Sequence, residues 1–173
     1  IYMPQHNGTT MEIYDIATGT TTTVTLSPNI WRYTSQLYNG KIYMPQSGGT
    51  KMEIYDIATG TTTTVTLPTS NMYRITSQLY NGKIYMPQSG GTTMEIYDIA
   101  TGTTTTVTLP TNMQRWTSQL YNGKIYMPQS SGTTMEIYDI ATGITETKTL
   151  PTNMRRYTSQ LYNGKIYMPP YGG

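Results

Sequence analysis

The chain has 173 residues, a formal net charge of +2 and only 12% charged side chains. That length allows one domain with a substantial core, while the small net charge removes any broad electrostatic case for nucleic acid or an anionic membrane surface. The absence of cysteine excludes disulfides and thiolate metal sites, and no apolar run is long enough for a membrane-spanning helix.

The chain opens on Ile1-Tyr2-Met3-Pro4, a short extended segment stopped by proline. A loop around His6-Asn7-Gly8 follows, then an alternating strand containing Met11 to Ile16, an Ala17-Thr18-Gly19 turn and a threonine-rich strand ending at Leu26. From about residue 30 the pattern recurs in full. Tyr-Asn-Gly-Lys-Ile-Tyr-Met-Pro returns with its glycine at Gly40, Gly82, Gly123 and Gly164, spaced 42, 41 and 41 residues apart, and Met-Glu-Ile-Tyr-Asp-Ile-Ala-Thr-Gly returns in step with Asp15, Asp56, Asp98 and Asp139. A period of this length is the signature of a repeat architecture.

One complete unit shows the logic. Arg115 to Tyr121 reads as strand a. Asn122-Gly123 is a two-residue hairpin turn, since both central positions of a type I′ turn take positive φ. Lys124 to Met127 is strand b, ended by Pro128; residues 129–134 are a loop; Met135 to Ile140 is strand c; Ala141 to Gly143 is a turn; Ile144 to Leu150 is strand d; and Pro151-Thr152-Asn153 connects to the next copy. No 3.6-residue apolar period appears, and Gly or Pro punctuates every few residues, so the class is all-β. Four short antiparallel strands per repeat of about 41 residues predict a β-propeller blade, with strand a innermost and strand d at the rim.

The predicted organisation is a single repeat domain over residues 1–173, with units at about 1–26 (partial), 30–67, 72–109, 113–150 and 155–173 (partial). The strand inventory is seventeen, one more than four blades take. The array is therefore expected to belong to a larger or multi-chain ring; a self-closed four-blade ring with its last strand packed elsewhere is the remaining arrangement. A first residue of Ile1 points to a processed product, an excerpt or part of something longer.

The unit resembles a kelch-type propeller repeat in Tyr80-Asn81-Gly82-Lys83-Ile84-Tyr85, Gly90-Gly91 and Glu95-Ile96-Tyr97-Asp98. The resemblance spans nearly the whole chain in diverged form: Met86-Pro87-Gln88-Ser89 intervenes before the double glycine, and the threonine run replaces the family tryptophan. It implies a propeller used for binding and scaffolding more often than for catalysis.

Differences between copies collect in the b–c loops and d–a junctions, which share one face, while the turns of the other face are identical. The candidate ligand-binding residues are Arg32, Arg74, Arg115 and Arg156, one per unit at the same position, with Trp31, Tyr73, Trp116 and Tyr157 beside them. The arginines fit two roles: a ring of guanidinium groups holding an anion through paired donors, or structural pairing with a carboxylate of a neighbouring blade such as Glu95 or Asp98. Exposed Trp, Tyr and Arg are residue types that dominate binding hot spots. His6 has no counterpart in other copies and reads as a surface residue. No nucleophile elbow, phosphate loop or metal-ligand spacing appears.

The expected function is that of a non-catalytic binding or scaffold repeat protein, not an enzyme, recognising a glycan or protein partner through the loop face. The alternative is a self-assembling structural protein, an oligomer or fibre such as an appendage or viral surface component, joined through terminal strands; an enzyme ranks third. No cofactor, metal, nucleic acid or membrane span is expected. A homo-oligomer through the terminal strands is compatible with the inventory, and an extracellular, cell-surface or virion-surface setting is the expected one.

Overall fold

The computed structural model describes residues 1–170, and for residues 27–29 the backbone alone. The described residues form seventeen strands and no helix. They divide into two compact units, one of residues 1–73 and one from residue 74 onward; the last three positions of the predicted final blade lie outside the described residues.

The first unit contains two antiparallel sheets. Strands β1 (Tyr2–Pro4), β2 (Asn7–Tyr14) and β3 (Thr21–Trp31) form a three-stranded sheet, and β4 (Gln36–Tyr38), β5 (Lys41–Pro45), β6 (Lys51–Asp56) and β7 (Thr61–Thr66) a four-stranded one. In the second unit, β8 (Gln78–Tyr80), β9 (Lys83–Pro87), β10 (Gly91–Asp98) and β11 (Thr103–Met113) repeat the four-stranded meander. So do β12 (Gln119–Tyr121), β13 (Lys124–Pro128), β14 (Ser131–Asp139) and β15 (Thr145–Arg155), and β16 (Gln160–Tyr162) with β17 (Lys165–Tyr167) forms a hairpin. Each full sheet runs in the order a-b-c-d read from the sequence.

Local chemistry sets these elements. The four Asn-Gly turns hold both residues at positive φ, for example Asn122 at 48° and Gly123 at 70°, the backbone a right-twisted two-residue hairpin requires. At the c–d turn Asp98 Oδ1 accepts from the backbone N–H of Ala100 at 3.0 Å and Thr101 at 3.3 Å, an Asx turn that ends the strand. Lys83 lies directly opposite Asp98 across β9 and β10, with Nζ 3.1 Å from Oδ2.

Strand b is buried on both sides: Ile84, Tyr85 and Met86 are all enclosed, as are Ile42, Tyr43 and Met44. A strand covered on both faces loses the polar alternation of a half-exposed one. In the second unit Met94, Leu109 and Met113 pack with Ile125, Met127 and Tyr138, and in the first Met11 and Leu26 pack with Ile42, Met44 and Tyr55. Each core is thus built from consecutive repeats, each buried side chain contributing about 1.5–3 kcal/mol relative to exposure. The outer strand keeps most of its threonines in solvent, where β-branching favours extension without an apolar edge.

Strand boundaries differ from the sequence reading at two places. Strand a is three residues, Gln119–Tyr121, because Arg115 and the Thr-Ser pair ahead of it bond elsewhere. Thr76 Oγ1 lies 2.7 Å from Ser118 Oγ, and Gln78 Nε2 donates to Ser118 O at 2.9 Å. Strands c and d extend through the expected loop and connector, with β14 beginning at Ser131 and β15 running past Pro151 to Arg155. A register shift between Gly132 and Thr134 lets residues 150–153 of β15 oppose Thr133 alone, an irregular bulge, and Pro151 sits on the outermost strand, where a missing donor is tolerated.

The Lys83 hydrogen bond, aided by the Thr101 and Ala100 N–H groups, holds the Asp98 carboxyl below its ordinary value of 3.8. A depressed folded-state value gives stabilisation that is present above the unfolded carboxylate range and is lost as pH falls through the folded value. Asp98→Asn is therefore expected to shrink the acid-side fall in thermal midpoint below about pH 4, read by circular dichroism at stepped pH; an unchanged acid limb would remove this assignment.

Candidate functional site

The d–a junction delivers an arginine and one or two aromatic side chains to the b–c loop face in each repeat, and the structure sends them in opposite directions. Arg74, Arg115 and Arg156 are at most 2% exposed and Arg32 is 4% exposed. Arg115 is fully committed. Its Nε and Nη2 donate to Glu136 Oε2 at 3.1 and 2.6 Å, Nη1 donates to the carbonyls of Gln88 and Gly91 at 2.8 and 2.7 Å, and Nη2 donates to Thr111 O at 2.6 Å. The other carboxylate oxygen of Glu136 accepts from Thr111 N–H at 2.8 Å, so the buried pair leaves no charge unsolvated.

The same pairing joins Arg74 to Glu95 at 2.8 Å and Arg32 to Glu53. Each glutamate lies 21 residues beyond its arginine, on strand c of the following sheet. Burial lowers the pKa of the Arg74 and Arg115 guanidinium groups, and the facing Glu95 and Glu136 raise it again. The geometry is that of structural pairing between blades, with the glutamate rather than Asp98 as partner. The b–c loop is shaped around it: a Cβ on Gly91 would stand 2.1 Å from the Gln88 side-chain amide, so glycine lets that amide lie over the loop while the Gly91 carbonyl faces Arg115.

The aromatic candidates remain at the surface. In the first unit Trp31 and Tyr73 are about half exposed and line one cleft of about 290 Å³ with Asn7, Gln46, Ser47 and Asn71. The Ser47 hydroxyl is buried and has no hydrogen-bond partner among the described residues. Its counterparts are engaged: Ser89 Oγ accepts from Arg115 N–H, and Ser130 Oγ donates to Gln114 Oε1. His6 packs beside Trp31, the ring centroids 6.5 Å apart and stacked, and lies edge-on 4.3 Å from Tyr33. In the second unit Trp116 and Tyr157 face one another at 4.8 Å. No group of three His, Asp or Glu side chains able to hold a metal ion occurs among the described residues.

Sequence reasoning placed the aromatics on the loop face but gave no weight to Ser47 or to the His6–Trp31–Tyr33 cluster. The signal for the cluster was present, since His6 departs from the Ser found in the other copies. The orphaned Ser47 hydroxyl depends on which side chains approach it and leaves no trace in the repeat pattern.

No family model matches the chain, and no curated protein matches it. Solved structures do. A streptogramin B lyase structure aligns at 20% identity and TM-score 0.84 over 99% of this chain and 58% of that one. Virginiamycin B lyase from Staphylococcus aureus aligns at 14% identity and TM-score 0.82 over 96% of this chain and 58% of that one. The computationally designed Ika8 protein aligns at 14% identity and TM-score 0.65 over 98% and 54%. The chain thus spans 58% of the length of the two lyases. These likenesses establish the fold: an all-β propeller of four-stranded antiparallel blades. They also correct the expectation of a non-catalytic binding or scaffold protein, its structural alternative and the expectation that it is not an enzyme. That reading leaned on the uniformity of the repeats, yet two of the solved structures that superpose on nearly the whole chain are lyases, so this fold can host catalysis.

Replacing Glu95 by Ala leaves the Arg74 guanidinium buried without its counter-ion and is expected to cost about 3–5 kcal/mol. Arg74→Met combined with Glu95→Leu removes both charges and is expected to cost less than the single change in urea unfolding. A single-variant loss below that of the double variant would contradict a buried structural pair.

Proposed function

We propose that this chain is part of a lyase-type β-propeller whose reacting centre is the cleft between Trp31 and Tyr73 on the b–c and d–a loop face. The observation that carries the reading is the buried Ser47 hydroxyl, unpaired among the described residues, in the wall of that cleft. A buried hydroxyl without a partner costs stability, and a substrate carbonyl or hydroxyl entering the cleft relieves it. Trp31 and Tyr73 supply apolar walls, and Asn7 and Asn71 supply amide donors and acceptors around them. His6, packed beside Trp31, is the side chain of this cluster able to act as a general base.

In this reading the imidazole of His6 removes a proton from the carbon beside the substrate carbonyl. The electron pair left behind expels the leaving group, and the proton returns to it, so the bond breaks without water. Ser47 donates a hydrogen bond to the carbonyl oxygen, where charge develops. The likeness in fold to two lyases supports this class of reaction; the chemistry assigned to His6 and Ser47 rests on this chain's own cleft.

The remaining expectations belong to the same proposal. A single repeat domain is supported by the same four-stranded meander recurring on both sides of residue 73. Diverged kelch-type ancestry is supported by the Tyr-Asn-Gly-Lys-Ile-Tyr hairpin, a carbohydrate-bearing ligand by the exposed aromatic walls, and an extracellular setting by the hydroxyl-rich surface.

The test is incubation of the chain with virginiamycin B, followed by mass spectrometry. The expected outcome is cleavage with no water added, and a fall of about a hundredfold in kcat/KM for His6→Ala, with smaller losses for Ser47→Ala and Trp31→Ala. No turnover, product carrying an added water, or turnover indifferent to all three changes would sink the proposal.

A further inference from the structure

The repeat period is broken at one junction only. The arginine stands six residues after the last leucine of strand d in three copies, Leu26 to Arg32, Leu109 to Arg115 and Leu150 to Arg156, but seven residues after it from Leu67 to Arg74. Aligning Pro68-Thr69-Ser70-Asn71-Met72 with Pro110-Thr111-Asn112-Met113 and Pro151-Thr152-Asn153-Met154 makes Ser70 the extra residue.

Both ends of the lengthened stretch are pinned. Leu67 N–H donates to Thr50 O at 2.6 Å, and Gly48 N–H donates to Met72 O at 2.9 Å. Residues 68–71 therefore occupy a span that three residues fill elsewhere, and they leave the sheet to do so. Strand β7 stops at Thr66, whereas β3, β11 and β15 run on to Trp31, Met113 and Arg155. Asn71 takes a φ of +54°, while Asn112 and Asn153 stay within their strands. The other positive-φ asparagines among the described residues all precede the glycine of a hairpin turn. Asparagine is the residue with a Cβ that enters this region at least cost, and a backbone outlier in the wall of a cleft is grounds for a functional hypothesis.

Asn71 is exposed and lines the cleft that holds Trp31, Tyr73 and Ser47. The Ser47–Gly48 backbone ties the two walls together, because Ser47 N–H donates to Trp31 O at 2.9 Å and Gly48 N–H to Met72 O. None of the described residues lining the cleft is Asp, Glu, Lys, Arg or His. We infer that the Ser70 insertion builds the ligand-binding wall of this cleft, and that Asn71 is its specificity-determining residue, reading the hydrogen-bonding edge of an uncharged ligand. A carboxamide presents an acceptor and two donors, so it matches a group that also carries both, whereas a charged ligand would lose its hydration and meet no counter-charge. The inference rests on the lyase reading for the location of the site, while binding at Asn71 is measured apart from any turnover.

Titration calorimetry with virginiamycin B, run beside the turnover assay, tests it. Asn71→Gly removes the carboxamide and accepts the positive φ without strain, so its thermal midpoint is expected to hold while affinity falls about tenfold, the loss of one hydrogen bond. Where the wild type turns over, the loss is expected to fall on KM more than on kcat. Asn71→Asp keeps the shape but not the donors and is expected to bind at least as weakly. Deletion of Ser70 restores the length of the other copies, and is expected to fold by circular dichroism and to bind about tenfold or more weakly. Wild-type affinity is expected to be indifferent to salt, since no ion pair forms. Weakened binding in the variants beside a wild type that binds without turnover upholds the inference and ends the lyase reading. Turnover and affinity unchanged in folded Asn71→Gly and in the Ser70 deletion overturn the inference and leave the lyase reading standing. Tighter binding by Asn71→Asp, steep salt dependence, or a wild type that binds no virginiamycin B also overturns it.

Discussion

At three repeat junctions a guanidinium is taken out of water and held against a glutamate 21 residues farther along the chain. Removing two charges from solvent costs several kcal/mol per ion, and the mutual attraction offsets this only where every donor and lone pair is satisfied. Arg115 meets that condition through Glu136 and backbone carbonyls of the b–c loop and strand d. The pairing therefore constrains three things together: the end of one sheet, the loop beside it, and strand c of the next. A repeat that slips by one residue along its strand turns the glutamate to the other face and strands the arginine in the core. The apolar contacts between Met, Ile and Tyr residues supply most of the stabilisation, but they are non-directional; the ion pair sets the register.

The same constraint explains why the two loop faces behave differently. Asn-Gly and Ala-Thr-Gly turns need positive φ or an Asx bond at fixed positions, so their sequences are identical in every copy. On the other face the invariant requirement is met by backbone carbonyls that receive the arginine, and carbonyls are indifferent to the side chain they carry. Neighbouring positions are then free to differ, which is where Trp31, Tyr73, Trp116 and Tyr157 stand exposed. A rigid junction that leaves side chains unconstrained is a suitable place for a site to arise.

Much of the architecture could be read from the residues. Asn-Gly pairs named their hairpins, the Pro after Ile-Tyr-Met ended strand b, and the 41-residue period gave the a-b-c-d meander. Strand limits were less legible where tertiary bonding overrides local pattern: Arg115 lies outside strand a because its side chain is drawn into the core, and Pro151 lies inside strand d because that strand is outermost. The arginine's partner needed three dimensions, since Glu95 and Asp98 are both carboxylates on one strand and only the face distinguishes them. The proposed reacting centre was least visible of all. Repetition draws attention to what is shared, whereas the His6–Trp31–Tyr33 cluster and the unpaired Ser47 hydroxyl arise from what differs between copies.

Side-chain NMR of arginine measures the central claim most directly. With 15N-labelled arginine, the Nε–H groups of Arg74 and Arg115 are predicted to exchange slowly with water, because each is buried and donates to a glutamate Oε2. Exchange of these two protons at the rate of a solvent-exposed guanidinium would contradict the account and return the arginines to the surface as free ligand-binding groups.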